Sequence, residues 1–185
     1  MNIDLALIRK AIDFYGCSLA TVPYLVDPDI MAFTCPPGVV DKRLTHVDGK
    51  QYVASAEQSF LQLEKEGRIV VGDPPMLALT PCYRDEEVLD EVHLNIFLKL
   101  EIFDYSPIGP VDYARFWAVK MQQLFDSEGV WTHIVKTDIG YDVMSEGDLE
   151  LGSFGYRQSP KGVTYVYGTA LAEPRASIAI REAHG

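Results

Sequence analysis

The sequence predicts a single α+β domain, and three observations predict it. At 185 residues, with 48% hydrophobic and 23% charged residues, the chain suffices for one well-buried core and is short for a second. Stretches of helical period bracket short runs rich in β-branched and aromatic residues. Two of those runs, Thr80 to Glu86 and His93 to Tyr105, flank a short acidic connection and read as a hairpin.

Taken in order, Ile3 to Tyr15 places apolar residues at Leu5, Ile8, Ile12 and Tyr15, a helical period that Gly16 ends. Ser18 to Leu25 is extended, and Pro23 bars it from a central strand position. Asp27 to Gly38, rich in Pro and Gly, reads as loop. Tyr52 to Ser55 is a strand end, and Ser55 caps a helix from about Ala56 to Glu66 that Gly67 closes. Gly109 to Gly129 spaces Tyr113, Phe116, Trp117, Met121, Leu124 and Phe125 as an amphipathic packing helix. Trp131 to Thr137, Tyr141 to Met144 and Val163 to Tyr167 read as strands. The chain ends in small residues and a helix carrying Arg175.

Composition excludes several classes of function. Net charge is −11, from 27 acidic against 16 basic residues, which repels a phosphate backbone at long range. Cys17, Cys35 and Cys82 are odd in number and lack metal-ligand spacing, which favours reduced thiols in a cytoplasmic protein without zinc or a disulfide framework. Met1-Asn2-Ile3-Asp4 lacks the basic start of a signal peptide, and no apolar run approaches the roughly 20 residues that span a bilayer.

Two stretches carry chemistry. In the hairpin, Arg84 and Glu86 are two apart and share a strand face, as do Phe97, Lys99 and Glu101 on the return. Such a face suits a planar phosphorylated ligand, because Arg grips phosphate bidentately and Phe stacks on a base. A solvated hairpin with cross-strand ion pairs would use the same residues. In Gly147 to Arg157, strand alternation puts Asp148, Glu150 and Gly152 on one face, with Leu149 and Leu151 toward the core. Carboxylates on a ligand face suit Mg²⁺ shared with substrate phosphates.

Tyr83-Arg84-Asp85-Glu86, the loop and Phe97 resemble the second signature motif of the class II aminoacyl-tRNA synthetases. The helix, Gly16, strand and Pro23 at the start resemble the first motif. The strand through Gly168-Thr169-Ala170-Leu171-Ala172 into Pro174-Arg175 resembles the third. Val143-Met144 with Asp148 to Ser153 is similar to a strand of the pyrrolysyl-tRNA synthetases. Glu150-Leu151-Gly152-Ser153 with Gly155 and Arg157 is similar to the ammonia-dependent asparagine synthetases.

The resemblance covers nearly the whole chain and implies an antiparallel sheet of about six strands flanked by helices, as one catalytic domain over residues 1–185 without an anticodon-binding domain. It implies ATP- and Mg-dependent activation of an amino acid or similar carboxylate as an acyl-adenylate. Arg84 and Arg175 are the implied catalytic residues. ATP would be held by Arg84, Glu86, Phe97, Glu150, Ser153 and Arg175, and Mg²⁺ by Glu150 and Ser153. The carboxylic substrate would meet Glu57, Glu101 and Gly152. The first motif implies a homodimer.

The acceptor is left open between tRNA, a carrier protein, a lysine side chain and an amine. Two other readings stand beside this one: a non-catalytic paralogue that binds an amino acid or partner enzyme as a regulator, and a minimal tRNA synthetase whose tRNA-binding part lies on another chain. Ala170 and Ala172 stand where the family has glycines, and so would narrow the approach to adenine.

Overall fold

The computed structural model describes residues 3–35, 45–105 and 109–185. Helix α1, Leu5–Tyr15, begins where the Asp4 carboxylate accepts from the Ala6 and Leu7 amides and ends at Gly16 in the left-handed region, φ 66°. It buries Leu7, Ile8, Ala11 and Tyr15, whereas Leu5 is exposed, so its inward face is turned from the one the spacing suggests.

The extended stretch that follows supplies β1, Ser18–Leu19, and β2, Leu25–Val26. The expected loop after it contains a helix instead: α2 runs Pro28–Thr34, and only residues 36–38 of that expectation lie outside the described residues. Pro28 suits the first helical turn, and burial of Ile30 and Met31 outweighs the turn-like composition. Strand β3, Gln51–Tyr52, pairs with β2 as a two-stranded sheet. Helix α3, Ala56–Lys65, opens with a capping box between Ser55 and Gln58.

The main sheet is completed by β4 (Met76–Tyr83), β5 (Ile96–Asp104), β6 (Thr132–Lys136), β7 (Gly140–Ser145), β8 (Glu150–Gln158) and β9 (Thr164–Glu173). Helix α4, Pro110–Ser127, packs across it, and α5 runs Arg175–His184. The strand order is β1-β4-β5-β9-β8-β7-β6; every pair is antiparallel except the short edge strand β1 on β4. The sheet thus has seven strands against the six or so expected, the extra one being the two-residue β1.

Two cores sandwich this sheet. Leu77, Leu100, Ile102, Phe154 and Val166 meet α1, α4 and α5 on one side. On the other, Ala78, Phe103 and Tyr165 meet α2 and α3, and Phe103 stacks between Phe60 and Tyr165 at 4.9 and 4.8 Å. Beyond α3, no helix among the described residues packs on the second face along β5, β9 and β8.

Two register shifts decide what that open face presents. On β8, Val143 faces Gly152 but Met144 faces Glu150, so Leu151 is an extra residue. On β9, Leu100 faces Leu171 but Glu101 faces Thr169, making Ala170 the extra one. The alternation expected for Asp148, Glu150 and Gly152 fails for this reason. Asp148 sits in the turn before the strand with φ 59°, and Gly152 is directed at α4. A Cβ on Gly152 would lie 2.6 Å from Met121 Sδ and 2.6 Å from the Thr169 carbonyl oxygen. Gly152→Ala is therefore expected to destabilise the protein by about 1–3 kcal/mol, the usual cost of overpacking, as read by denaturant or thermal melts.

Candidate active site

The hairpin places the first charged pair. Arg84 and Glu86 follow the end of β4, and Asn95 fixes both: its carbonyl accepts from the Arg84 amide at 2.9 Å and its side-chain oxygen from the Glu86 amide at 3.1 Å. Sequence reasoning misses Asn95; its place directly before β5 is the only local signal of this role. On β5, Phe97 underlies two cations, with Arg84 Cζ 5.1 Å and Lys99 Nζ 6.0 Å from its ring centre.

Arg84, Glu86, Phe97 and Lys99 line one side of a cleft of about 470 Å³, its open mouth included. Glu150, Leu151 and Gly152 of β8, Thr169, Ala172 and Glu173 of β9, and Arg175 at the start of α5 line the other. Arg175 Nη1 donates to the Glu150 carbonyl at 3.1 Å and lies 3.6 Å from its carboxylate. The cleft therefore gathers Arg84, Glu86, Phe97, Glu150, Gly152 and Arg175 from four separate stretches of the chain. Ala172 lines it, whereas Ala170 is packed in the core beneath α4, so of the two alanines only Ala172 bears on the width of the cleft.

The extra residue Leu151 also governs Ser153. A Cβ at Gly155 would meet the Tyr167 hydroxyl, so Gly155 is on the open face, and alternation puts Ser153 there too. Glu150, one side of the bulge, and Ser153, the other, thereby share a face despite their odd spacing. Among the described residues no group of three or more His, Cys, Asp or Glu side chains could hold a metal by itself. One carboxylate and one hydroxyl fit a magnesium ion that takes its remaining oxygens from phosphate and water, not a resident metal.

The other predicted substrate residues sit deeper, toward α3. Glu101 is buried; its carboxylate accepts from Ser55 Oγ at 2.8 Å and from the Ala56 amide, and it lies 3.5 Å from Lys99 Nζ. It thus caps α3 from across the sheet. Glu57 accepts from the Tyr165 hydroxyl at 2.7 Å and lies 3.4 Å from Arg157 Nη1, whose guanidinium stacks 4.9 Å above Tyr167. Burial pushes the Glu57 carboxyl up to about 7, opposed by Arg157 and by the Tyr165 hydrogen bond. Burial likewise pushes the Tyr167 phenol up to about 12. Glu57, Glu101 and Lys99 form a polar floor running inward from the cleft.

Solved structures with this architecture exist. Seryl-tRNA synthetase from Pyrococcus horikoshii, complexed with ATP, superposes with a TM-score of 0.81 at 21% identity, covering 98% of this chain and 51% of that one. The chain has the fold of a class II aminoacyl-tRNA synthetase catalytic core. Cytoplasmic serine-tRNA ligase from Naegleria fowleri, in complex with AMP, gives 0.76 at 18% identity over 95% of this chain and 47% of that one. The pyrrolysyl-tRNA synthetase PylSc from Desulfitobacterium hafniense gives 0.70 at 18% identity over 96% and 65%. The chain thus spans 65% of the length of the pyrrolysyl enzyme and about half that of the seryl enzymes. No protein-family model matches the chain, and no curated protein matches it. Among the described residues no helix is long and apolar enough to cross a membrane.

The Glu57 environment sets a pH dependence. Its folded-state pKa of about 7 exceeds the ordinary 4.5, so the native state holds this proton more tightly than the unfolded chain does. The stability this confers is complete below about pH 4.5 and is lost as pH rises through 7. Glu57→Gln keeps a partner for Tyr165 and removes the titration. Relative to wild type, it is expected to gain stability between about pH 5 and 7.5, on the order of 3 kcal/mol at most, in melts across that range.

Proposed function

We propose that the protein binds ATP with Mg²⁺ in this cleft and activates an amino acid or similar small carboxylate as an acyl-adenylate. The observation that carries the reading is the convergence of Arg84, Glu86, Phe97, Glu150 and Arg175 on one cleft of a class II synthetase fold. The solved neighbours complexed with ATP and with AMP support nucleotide binding by this architecture.

In this reading Phe97 stacks on adenine and Glu86 reads its edge. The Arg84 guanidinium, now over the ring, swings to the α-phosphate and stabilises the charge that develops there as the carboxylate attacks in line. Arg175 exchanges Glu150 for the departing pyrophosphate. Glu150 and Ser153 would hold Mg²⁺, which when bound neutralises phosphate charge. Glu57, Glu101 and the Gly152 backbone form the wall toward the carboxylic substrate. No side chain acts as a nucleophile; catalysis is positioning and charge stabilisation.

Ala172 in the cleft favours a second reading, a regulatory paralogue that retains ligand binding without turnover. Calorimetric titration with ATP·Mg²⁺, followed by amino-acid-dependent pyrophosphate exchange, separates the two. Exchange is expected, with Arg84→Ala lowering turnover about 10²–10³-fold and Arg84→Lys recovering little. ATP binding without exchange against any amino acid selects the paralogue; no ATP binding removes both readings. Transfer of the activated group, to tRNA, a carrier protein, a lysine side chain or an amine, follows from the same chemistry, and a gel shift with total tRNA tests the first of these.

The exposed Leu5 on α1 and Leu19 on the edge strand β1 support a homodimer built on the N-terminal segment. Light scattering at micromolar concentration is expected to give twice the chain mass of 20.7 kDa, and the monomer mass removes this assembly.

A further inference from the structure

The cations of the cleft are loosely paired. Arg84 meets Glu86 at 4.0 Å, Arg175 meets the Glu150 carboxylate at 3.6 Å, and Lys99 meets Glu101 at 3.5 Å. Charge-assisted hydrogen bonds close to about 2.7–2.9 Å when geometry permits. Lys65 makes them so, meeting Asp27 at 2.8 Å and Asp29 at 2.9 Å, whereas the surface pairs Lys50–Asp27 and Arg68–Glu66 stay at 4.0 and 3.5 Å, so it is burial rather than length alone that sets a cleft cation apart.

Lys99 is the most constrained of the three. Its side chain is 15% exposed, and both oxygens of its carboxylate partner already accept from Ser55 Oγ and the Ala56 amide. Directly across the sheet stands Thr80, whose buried hydroxyl has no hydrogen-bond partner among the described residues. Two cations over one aromatic ring, neither tightly neutralised, repel each other unless an anion enters between them.

We propose that Lys99 is an anion-binding residue of the cleft, receiving with Arg84 the phosphoryl group attached to the base on Phe97. Lys99 lies two residues inward of Phe97, about 6.6 Å along the strand, and a ribose bridges a gap of that size. The identity of the nucleotide rests on the proposed function; the anion site does not.

The test is calorimetric titration of wild type, Lys99→Gln and Lys99→Arg with adenosine, AMP and inorganic pyrophosphate. Lys99→Gln is expected to weaken AMP at least about tenfold and leave adenosine unchanged, while Lys99→Arg stays within about threefold of wild type, the change one displaced charge contact produces. Equal AMP affinity in wild type and Lys99→Gln, or AMP no tighter than adenosine in wild type, overturns the proposal. If wild type binds neither AMP nor adenosine, the nucleotide reading falls, and pyrophosphate alone decides the anion site: binding lost in Lys99→Gln supports it, and no binding or no loss overturns it. Should the variants fail to melt cooperatively, acetylation of Lys99 in wild type, followed by peptide mass spectrometry, decides the same question. AMP or pyrophosphate must slow it where adenosine does not; no protection by either anion overturns the proposal.

Discussion

The site depends on one buried carboxylate. Glu101 projects from the central strand β5 and receives Ser55 Oγ and the Ala56 amide at the start of α3. An anion at a helix N-terminus is favoured by the helix dipole and by amides that have no partner within the helix. The same carboxylate lies 3.5 Å from the Lys99 ammonium. One side chain therefore fixes α3 against the sheet, sets Glu57 in the first turn of that helix, and aims a cation at the cleft. A buried charge is costly to desolvate, and Glu101 offsets the cost with the donors of Ser55 and Ala56 and with the charge of Lys99 at 3.5 Å.

This arrangement explains why much of the site is legible in the sequence. The hairpin of β4 and β5 obeys strict alternation, so Phe97, Lys99 and Glu101 share a face as read from spacing alone. The Ser55 cap is legible for the same reason: a capping box is a local pattern with a local cause. Less legible are contacts made across the sheet. Spacing presents the Glu101 side chain as a group facing substrate, but its oxygens are engaged by α3, and nothing in the separation of residues 55 and 101 announces that meeting.

The bulges are not legible at all, and they matter most. A bulge adds one residue without changing local composition, so Leu151 and Ala170 look like ordinary strand positions. Their effect is to reverse face assignments beyond them. Glu150 and Ser153 come to one face by this means, and Ala170 is drawn into the core away from the cleft. Helix α2 is hidden for a different reason: its seven residues are too few for periodicity to register, and its stability comes from burying Ile30 and Met31.

The charge balance of the cleft bears on how an acidic protein could take the anionic ligand proposed for it. Net charge −11 sets the field at a distance, and it disfavours broad contact with a phosphate backbone. Within the cleft, Arg84, Lys99 and Arg175 stand against Glu86, Glu150 and Glu173 on its wall and Glu101 beneath it, three cations to four carboxylates. In the proposed reading, the long contacts of these cations, 4.0 Å for Arg84, 3.6 Å for Arg175 and 3.5 Å for Lys99, leave hydrogen-bonding capacity for an anion. A small, multiply charged ligand can fill that capacity at short range, where the distant acidic surface is screened within about 10 Å at ordinary ionic strength. A long polyanion has no such shelter, because it must cross the acidic surface as well as enter the cleft. Electrostatics compatible with the proposed nucleotide therefore work against an extended nucleic-acid footprint on this domain.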